Sequence, residues 1–162
     1  MVGRTPVGGR TLLLALLALA LLRWASTPLW AQEEGCTLAP GFWKAHPGAW
    51  PVTELTLDGF TYTQAELIEL LETPPQGDAS LILAHALIAA MLNVAIGAEV
   101  PADVAAALDA AQAWLIANRD TDGRLPFGIT GGPERAEAIA LAEVLNAFNE
   151  GSLGPGPCND SE

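Results

Sequence analysis

Apolar and polar residues follow one another in patterns that predict a mainly helical fold. Residues 79–96 are apolar on all sides of a helical wheel. A helix of this kind is expected to lie buried at the centre of a bundle, with Asp78 or Ser80 as its N-cap. Residues 101–118 and 133–150 carry apolar stripes at helical spacing and begin with a proline. The pattern therefore predicts three long helices after residue 78.

A shorter helix and a β-hairpin are predicted before them. Thr63 and Glu66 form a capping-box pattern that begins a helix ending near Glu72. In residues 53–62, apolar residues alternate with polar ones around Asp58-Gly59, a pair that is typical of the type I′ turn of a hairpin. The sequence thus predicts a small bundle of about four helices around the buried helix, with one short hairpin.

The first residues are typical of a secretory signal peptide. Arg4 and Arg10 precede an apolar run over residues 12–22, and the segment ends at the small residue Ala31. The apolar run is shorter than the roughly 20 residues that a membrane-spanning helix needs. We therefore expect cleavage after residue 31. Residues 32–162 would then form one secreted, periplasmic or cell-surface domain with no membrane span.

Two cysteines, Cys36 and Cys158, lie near the two ends of this domain. An even number of cysteines in an exported chain predicts a disulfide rather than a metal or catalytic pair. The bond would link the two termini.

The chain is strongly acidic, with a formal net charge of −12. Loss of the leader would leave Lys44 and three arginines against 19 acidic residues. Such a charge repels nucleic acid and anionic membranes, and favours cations and basic protein surfaces. Alternatively, it serves only to keep an exported domain soluble.

Rare residues are concentrated in one segment, residues 41–51. It contains Trp43, Lys44, His46 and Trp50, and its histidine is one of only two in the chain. If His46 met His85 of the apolar helix, the pair could form a metal site or the centre of a small secreted hydrolase. The simpler interpretation is an aromatic clasp that closes the bundle. In that case His46 would pack on a tryptophan and bond a carbonyl, His85 would be a satisfied core residue, and Lys44 would pair with an acid.

This segment resembles the hallmark motif of an uncharacterised family of bacterial secreted or surface domains. The family pattern is a Cys, then Gly-aromatic-Trp-Lys-x-His-Pro, then Trp-Pro, and here Phe42 replaces the usual Tyr. The resemblance implies export and a cysteine pair, but no activity. Its motifs match residues 36–37, 41–47, 50–51, 62–67, 83–93 and 154–158.

A loop after the third predicted helix, residues 101–118, partly matches a calcium-binding loop. Asn118, Asp120 and Asp122 alternate before Gly123, as oxygen ligands do around Ca²⁺. The twelfth position is Ile129, where such a loop has a bidentate Glu. The alternative is a polar turn in which the aspartates bond nearby backbone groups.

The sequence contains none of the common hydrolase, phosphate-binding or dinucleotide-binding motifs. Five of its ten aromatic residues cluster within residues 42–62. If they are exposed they would bind carbohydrate or protein, and if they are buried they would cover the bundle. We therefore interpret the chain as a non-enzymatic extracellular or envelope module that binds an unknown protein or carbohydrate. A calcium-binding domain and a small hydrolase or metal site are the alternatives.

Overall fold

A computed structural model describes residues 35–121 and 123–158. The predicted signal peptide, residues 1–31, lies outside the described residues. The described part of the chain contains five α-helices and a two-stranded antiparallel sheet, and none of its helices has the length and apolar character needed to cross a membrane. The elements are α1 (Pro40–Ala45), a 3₁₀ turn (Pro47–Ala49), β1 (Glu54–Leu57), β2 (Phe60–Thr63), α2 (Gln64–Glu72), α3 (Ala79–Ala95), α4 (Ala102–Ala117) and α5 (Gly132–Asn149).

Helix α3 is the centre of the fold, as the sequence predicted. Leu83, Leu87, Ile88 and Leu92 are completely buried, because neighbouring elements cover α3 on several sides. Its most extensive packing is against α5, while α1 and α2 also contact it. Helix α4 packs mainly on α5 and less closely on α3. Helix α3 thus has a much smaller contact with α4 than with α5.

The predicted N-caps of α2 and α3 are confirmed. The Thr63 hydroxyl accepts the Glu66 amide, and the Glu66 carboxylate accepts the Thr63 amide at 2.8 Å, which completes the capping box. At the start of α3, Asp78 Oδ1 accepts the Ser80 amide at 2.9 Å. At the end of α5, Gly151 has a φ of 75° and lies against Pro157, so a side chain there would collide with the tail.

The Asp78 carboxylate also holds a distant loop. It accepts the backbone amides of Gly128 at 3.0 Å and Ile129 at 3.1 Å, while the Ser80 hydroxyl accepts the Phe127 amide at 2.9 Å. One buried cap thus satisfies the start of α3 and fixes the segment that leads into α5.

The predicted hairpin is also confirmed. Strand β1 pairs with β2 in the register Leu55 to Tyr62 and Leu57 to Phe60. Asp58 and Gly59 form the turn with φ values of 50° and 85°, as a type I′ turn requires. Leu55, Leu57 and Tyr62 are buried, so this face of the hairpin belongs to the core.

The two ends of the domain are joined by the predicted disulfide between Cys36 and Cys158. Backbone bonds continue the connection: the Thr37 amide donates to the Gly156 carbonyl, and the Cys158 amide donates to the Thr37 carbonyl, each at 2.9 Å. The tail therefore pairs with the first described residues like a short parallel bridge.

Two buried asparagines fasten this region to the core. Asn93 Oδ1 accepts the Leu38 amide at 2.8 Å, and Asn93 Nδ2 donates to the Leu38 carbonyl and to Asn149 Oδ1, each at 2.9 Å. Asn149 Nδ2 donates in turn to the Ala86 carbonyl. These amides connect the N-terminal segment, α3 and α5, and all four of their side-chain polar atoms are satisfied.

Candidate functional site

The aromatic residues of segment 41–51 are part of the core. Trp43 is fully buried and Trp50 is 9% exposed. The indole N–H of Trp50 donates to the Trp43 carbonyl at 2.8 Å, which folds the segment back on itself. Phe42 packs edge-on against Trp43 with ring centroids 5.5 Å apart and stays half-buried. The two tryptophans therefore close the bundle rather than present a binding surface.

His46 lies at the exposed end of α1. Its ring stacks on Phe42 at 4.3 Å, and its Nδ1 lies 2.9 Å from the Phe42 carbonyl. Because a carbonyl can only accept, Nδ1 carries the proton in this bond. The predicted carbonyl bond is thus present, but the ring packs on Phe42 instead of a tryptophan.

His85 lies on α3, and its ring bonds a carbonyl of α2. Its Nε2 is 2.7 Å from the Leu70 carbonyl at the end of α2. Burial lowers the pKa of His85; the Leu70 bond raises it, and the charge of the nearby Lys44 lowers it further. Lys44 itself is exposed. The charge of Lys44 therefore reaches the His85 imidazole.

His85 does not line the cavity that His46 lines. A cleft of about 460 Å³ beside the disulfide is lined by His46 and Glu150, and His85 is not among its lining residues. The His46 ring bonds the Phe42 carbonyl, and the His85 ring bonds the Leu70 carbonyl. A hydrolase or metal site at His46 and His85 stays a prediction from the sequence.

The candidate calcium loop is only partly described. Asp122 lies outside the described residues. The Asn118 side chain donates to the Trp114 carbonyl at 2.9 Å, and Asp120 Oδ1 accepts the Gly123 amide at 2.9 Å. Residues 35–121 and 123–158 contain no group of three or more His, Cys, Asp or Glu side chains placed to hold a metal. Calcium binding stays a prediction, which thermal melts with calcium and with a chelator would test.

A buried polar network connects the hairpin to the loop after α4. The Tyr62 hydroxyl donates to Asp58 Oδ2 at 2.9 Å and accepts the Leu125 amide at 3.2 Å. Burial raises the pKa of Asp58, against the opposing effects of its hydrogen bonds and of two arginines. Sequence analysis missed this network, because its partners are 63 residues apart.

Two arginines cover the outside of the network. The Arg119 guanidinium lies 4.8 Å from the Phe60 ring centroid, and the Arg124 guanidinium lies 4.2 Å from that of Tyr62. Arg124 also bonds the Glu66 carboxylate at 2.8 Å. These contacts place two of the chain's few cations on aromatic rings of the hairpin.

An apolar groove between α3 and α4 is the second feature that sequence analysis missed. It has a volume of about 260 Å³ and is lined mostly by aliphatic side chains. At one end, Gln112 Nε2 donates to the Thr56 carbonyl at 2.9 Å, and Gln112 Oε1 accepts the Asp58 amide at 3.2 Å. The hairpin turn thus closes this end. The lining residues are Leu87, Met91, Val94, Leu108, Asp109 and Gln112.

Two large apolar side chains are exposed on the helices that form the groove, and one of them, Val94, lines it. Among the described residues, those classed as exposed are Val94, at 39%, and Ile116, at 52%. Ile116 lies one turn beyond Gln112 on the same side of α4. The sequence did contain a signal, since Ile116 falls outside the apolar stripe of its helix. Leu108 is only half-buried, because it faces the groove.

In comparisons with known proteins, no family model, curated protein or solved structure matches the chain. The candidate sites therefore rest on the geometry of this chain.

Proposed function

We propose that the chain is an exported, non-enzymatic binding module that recognises a protein partner through the groove between α3 and α4. The observation that carries this proposal is the apolar groove, whose lining residue Val94 is 39% exposed, while Trp43 and Trp50 are buried. Exposed apolar surface that lines a groove is costly in water and is typical of interaction sites. The groove is thus the surface that a partner would cover.

The lining of the groove favours a protein over a carbohydrate. Carbohydrate would need polar groups that are free to bond its hydroxyls. The groove contributes the polar side chains of Asp109 and Gln112, and the Gln112 amide is already bonded to Thr56 and Asp58. Met91 lines the groove, and its flexible thioether adapts to the side chains of a protein partner.

Export is supported by two independent features. The leader has the order of a signal peptide, and the disulfide joins residues separated by 122 positions. We include in this proposal that the chain is a member of the family of bacterial secreted or surface domains whose motif residues 41–51 resemble.

Export is tested by producing the full chain in a bacterial host and fractionating the cells. We expect the protein outside the cytoplasm, with a mature N-terminus at Gln32 in mass spectrometry. Retention of the intact leader in the cytoplasmic fraction would contradict export.

Binding is tested by selecting from a display library of random peptides of about 16 residues against the exported protein. We expect enriched peptides to lose affinity about tenfold for a variant with Val94→Asn and Ile116→Asn. Both positions are exposed, and asparagine has a helix propensity close to that of valine and isoleucine, so the fold is expected to persist. Ala140→Asn on the exposed side of α5 is the matched control. Equal binding to all three proteins would overturn the proposal.

A further inference from the structure

The charges around the groove indicate which kind of segment binds there. Asp109 contributes a carboxylate to the lining. Neither wall contains a lysine or arginine, since α3 and α4 have none in their sequences. Arg119 and Arg124, which follow α4, lie over the rings of Phe60 and Tyr62. The groove is therefore apolar inside and negative at its margin.

The length of the groove along α3 matches two turns of a helix. Its α3 wall is lined from Leu87 to Val94, which is a rise of about 10 Å over seven residues. An amphipathic helix places its apolar anchors at positions i, i+3, i+4 and i+7, which span the same length. The two walls are themselves helices, so a third helix can pack along the furrow between them.

Resting on the proposed function, we infer that the partner segment is a basic amphipathic helix. Its apolar face would fill the groove against Met91, Val94 and Leu108, and its lysines or arginines would approach Asp109. The net charge of −12 would attract such a segment over longer distances and speed its association at low ionic strength.

A second copy of this chain is a poorer occupant. Two copies with a net charge of −12 repel each other, and juxtaposed groove margins would bring Asp109 of both copies together. The charged residues of α4 are two aspartates, and α5 has three glutamates against one arginine, so neither helix offers a basic amphipathic surface. The partner is thus expected to be a different protein.

The test uses two synthetic helical peptides of about 16 residues with the same leucine anchors. One carries lysines on its polar face and the other carries glutamates. Fluorescence anisotropy against the exported, disulfide-bonded protein should give at least about tenfold tighter binding for the lysine peptide in about 0.02 M salt. The difference should shrink in about 0.3 M salt, because screening weakens the contribution of the charges.

Variants locate the site. Asp109→Asn should weaken the lysine peptide about threefold at low salt and leave its high-salt affinity unchanged. Glu137→Gln, the same charge change on the exposed surface of α5, should have no such effect. Val94→Asn combined with Ile116→Asn should weaken the peptide about tenfold at both salt concentrations, because it removes apolar contacts.

The outcomes separate this inference from the proposed function. Acidic or uncharged peptides that bind at the groove would overturn the inference and leave the binding module standing. If the lysine peptide bound the groove variants as tightly as the unmodified protein, its binding would reflect attraction to the acidic surface alone. That result would also overturn the inference. A concentration-dependent dimer that Val94→Asn disrupts would identify a second copy as the occupant. If no peptide from any source depended on the groove, both proposals would fail.

Discussion

Tyr62 illustrates how the environment of one side chain sets its ionisation. The ring is 2% exposed, and its hydroxyl lies between the Asp58 carboxylate and the Leu125 amide. Burial raises the pKa of Tyr62 to about 12; the Leu125 bond opposes this, and the Asp58 carboxylate adds to it. The hydroxyl is therefore held in its neutral, donating form.

Tyr62 is the only tyrosine in the chain, so its ionisation can be followed directly by absorbance near 295 nm. We expect a midpoint of about 12 in the folded protein, against about 10 in denaturant. Because the folded pKa is raised, the stabilisation it contributes is complete below pH 10 and is lost as the pH rises through about 12. Asp58→Asn should lower the midpoint. A folded midpoint near 10, with circular dichroism confirming the fold, would contradict this account.

The titration of His85 provides a second test, at acidic pH. In a His46→Gln variant it is the only remaining histidine, so one set of NMR resonances reports it. We expect a midpoint below 6.5, because burial disfavours the charged imidazole. With a lowered pKa, its stabilisation is present above pH 6.5 and is lost as the pH falls through the folded value. Lys44→Gln should raise the midpoint, and a value at or above 6.5 would refute the assignment.

At the scale of elements, the predictions that succeeded depend on neighbouring residues. The Thr63–Glu66 capping box, the Asp58-Gly59 turn and the apolar character of α3 are each set within a few positions. Partners far apart in sequence could not be inferred in this way. Asn93 is only a polar interruption in the sequence, yet its partner Leu38 lies 55 residues away. The groove was missed for the same reason, since it depends on how closely α4 approaches α3.

The Asn93 amide is expected to be important for stability. Asn93→Ala would leave the buried Leu38 amide and carbonyl, and Asn149 Oδ1, without their present partner. An orphaned buried group costs about 1–3 kcal/mol, so we expect a loss of at least about 3 kcal/mol in urea denaturation. Val94→Ala, at the exposed neighbouring position, should change stability by less than about 0.5 kcal/mol. Similar results for the two variants would mean that Asn93 does not fasten the N-terminal segment.

At the scale of the molecule, the two ends of the described chain are fastened to the core, whereas the groove between α3 and α4 is open to solvent. The disulfide, the Thr37 bridge and the Asn93–Asn149 pair join the first and last described residues to the core. The residues that look most reactive in the sequence, Trp43 and His46 among them, take part in this closure or lie beside it. Apolar side chains line the open groove between α3 and α4, where Val94 is 39% exposed. The groove proposed for binding therefore shares none of its lining residues with the contacts that join the two ends.

The disulfide is expected to provide much of the stability of the closed end. It joins residues separated by 122 positions, and in the chain-entropy model a loop of this size stabilises the folded state by about 4–5 kcal/mol. A variant with Cys36→Ser and Cys158→Ser should lose up to this amount in urea denaturation, and the oxidised protein should lose a similar amount when it is reduced. In the variant, reductant should have no effect. Because the groove is formed by α3 and α4, peptide binding should persist under conditions where the variant stays folded. Equal stability of the oxidised and reduced proteins would show that the remaining hydrogen bonds suffice to close the chain.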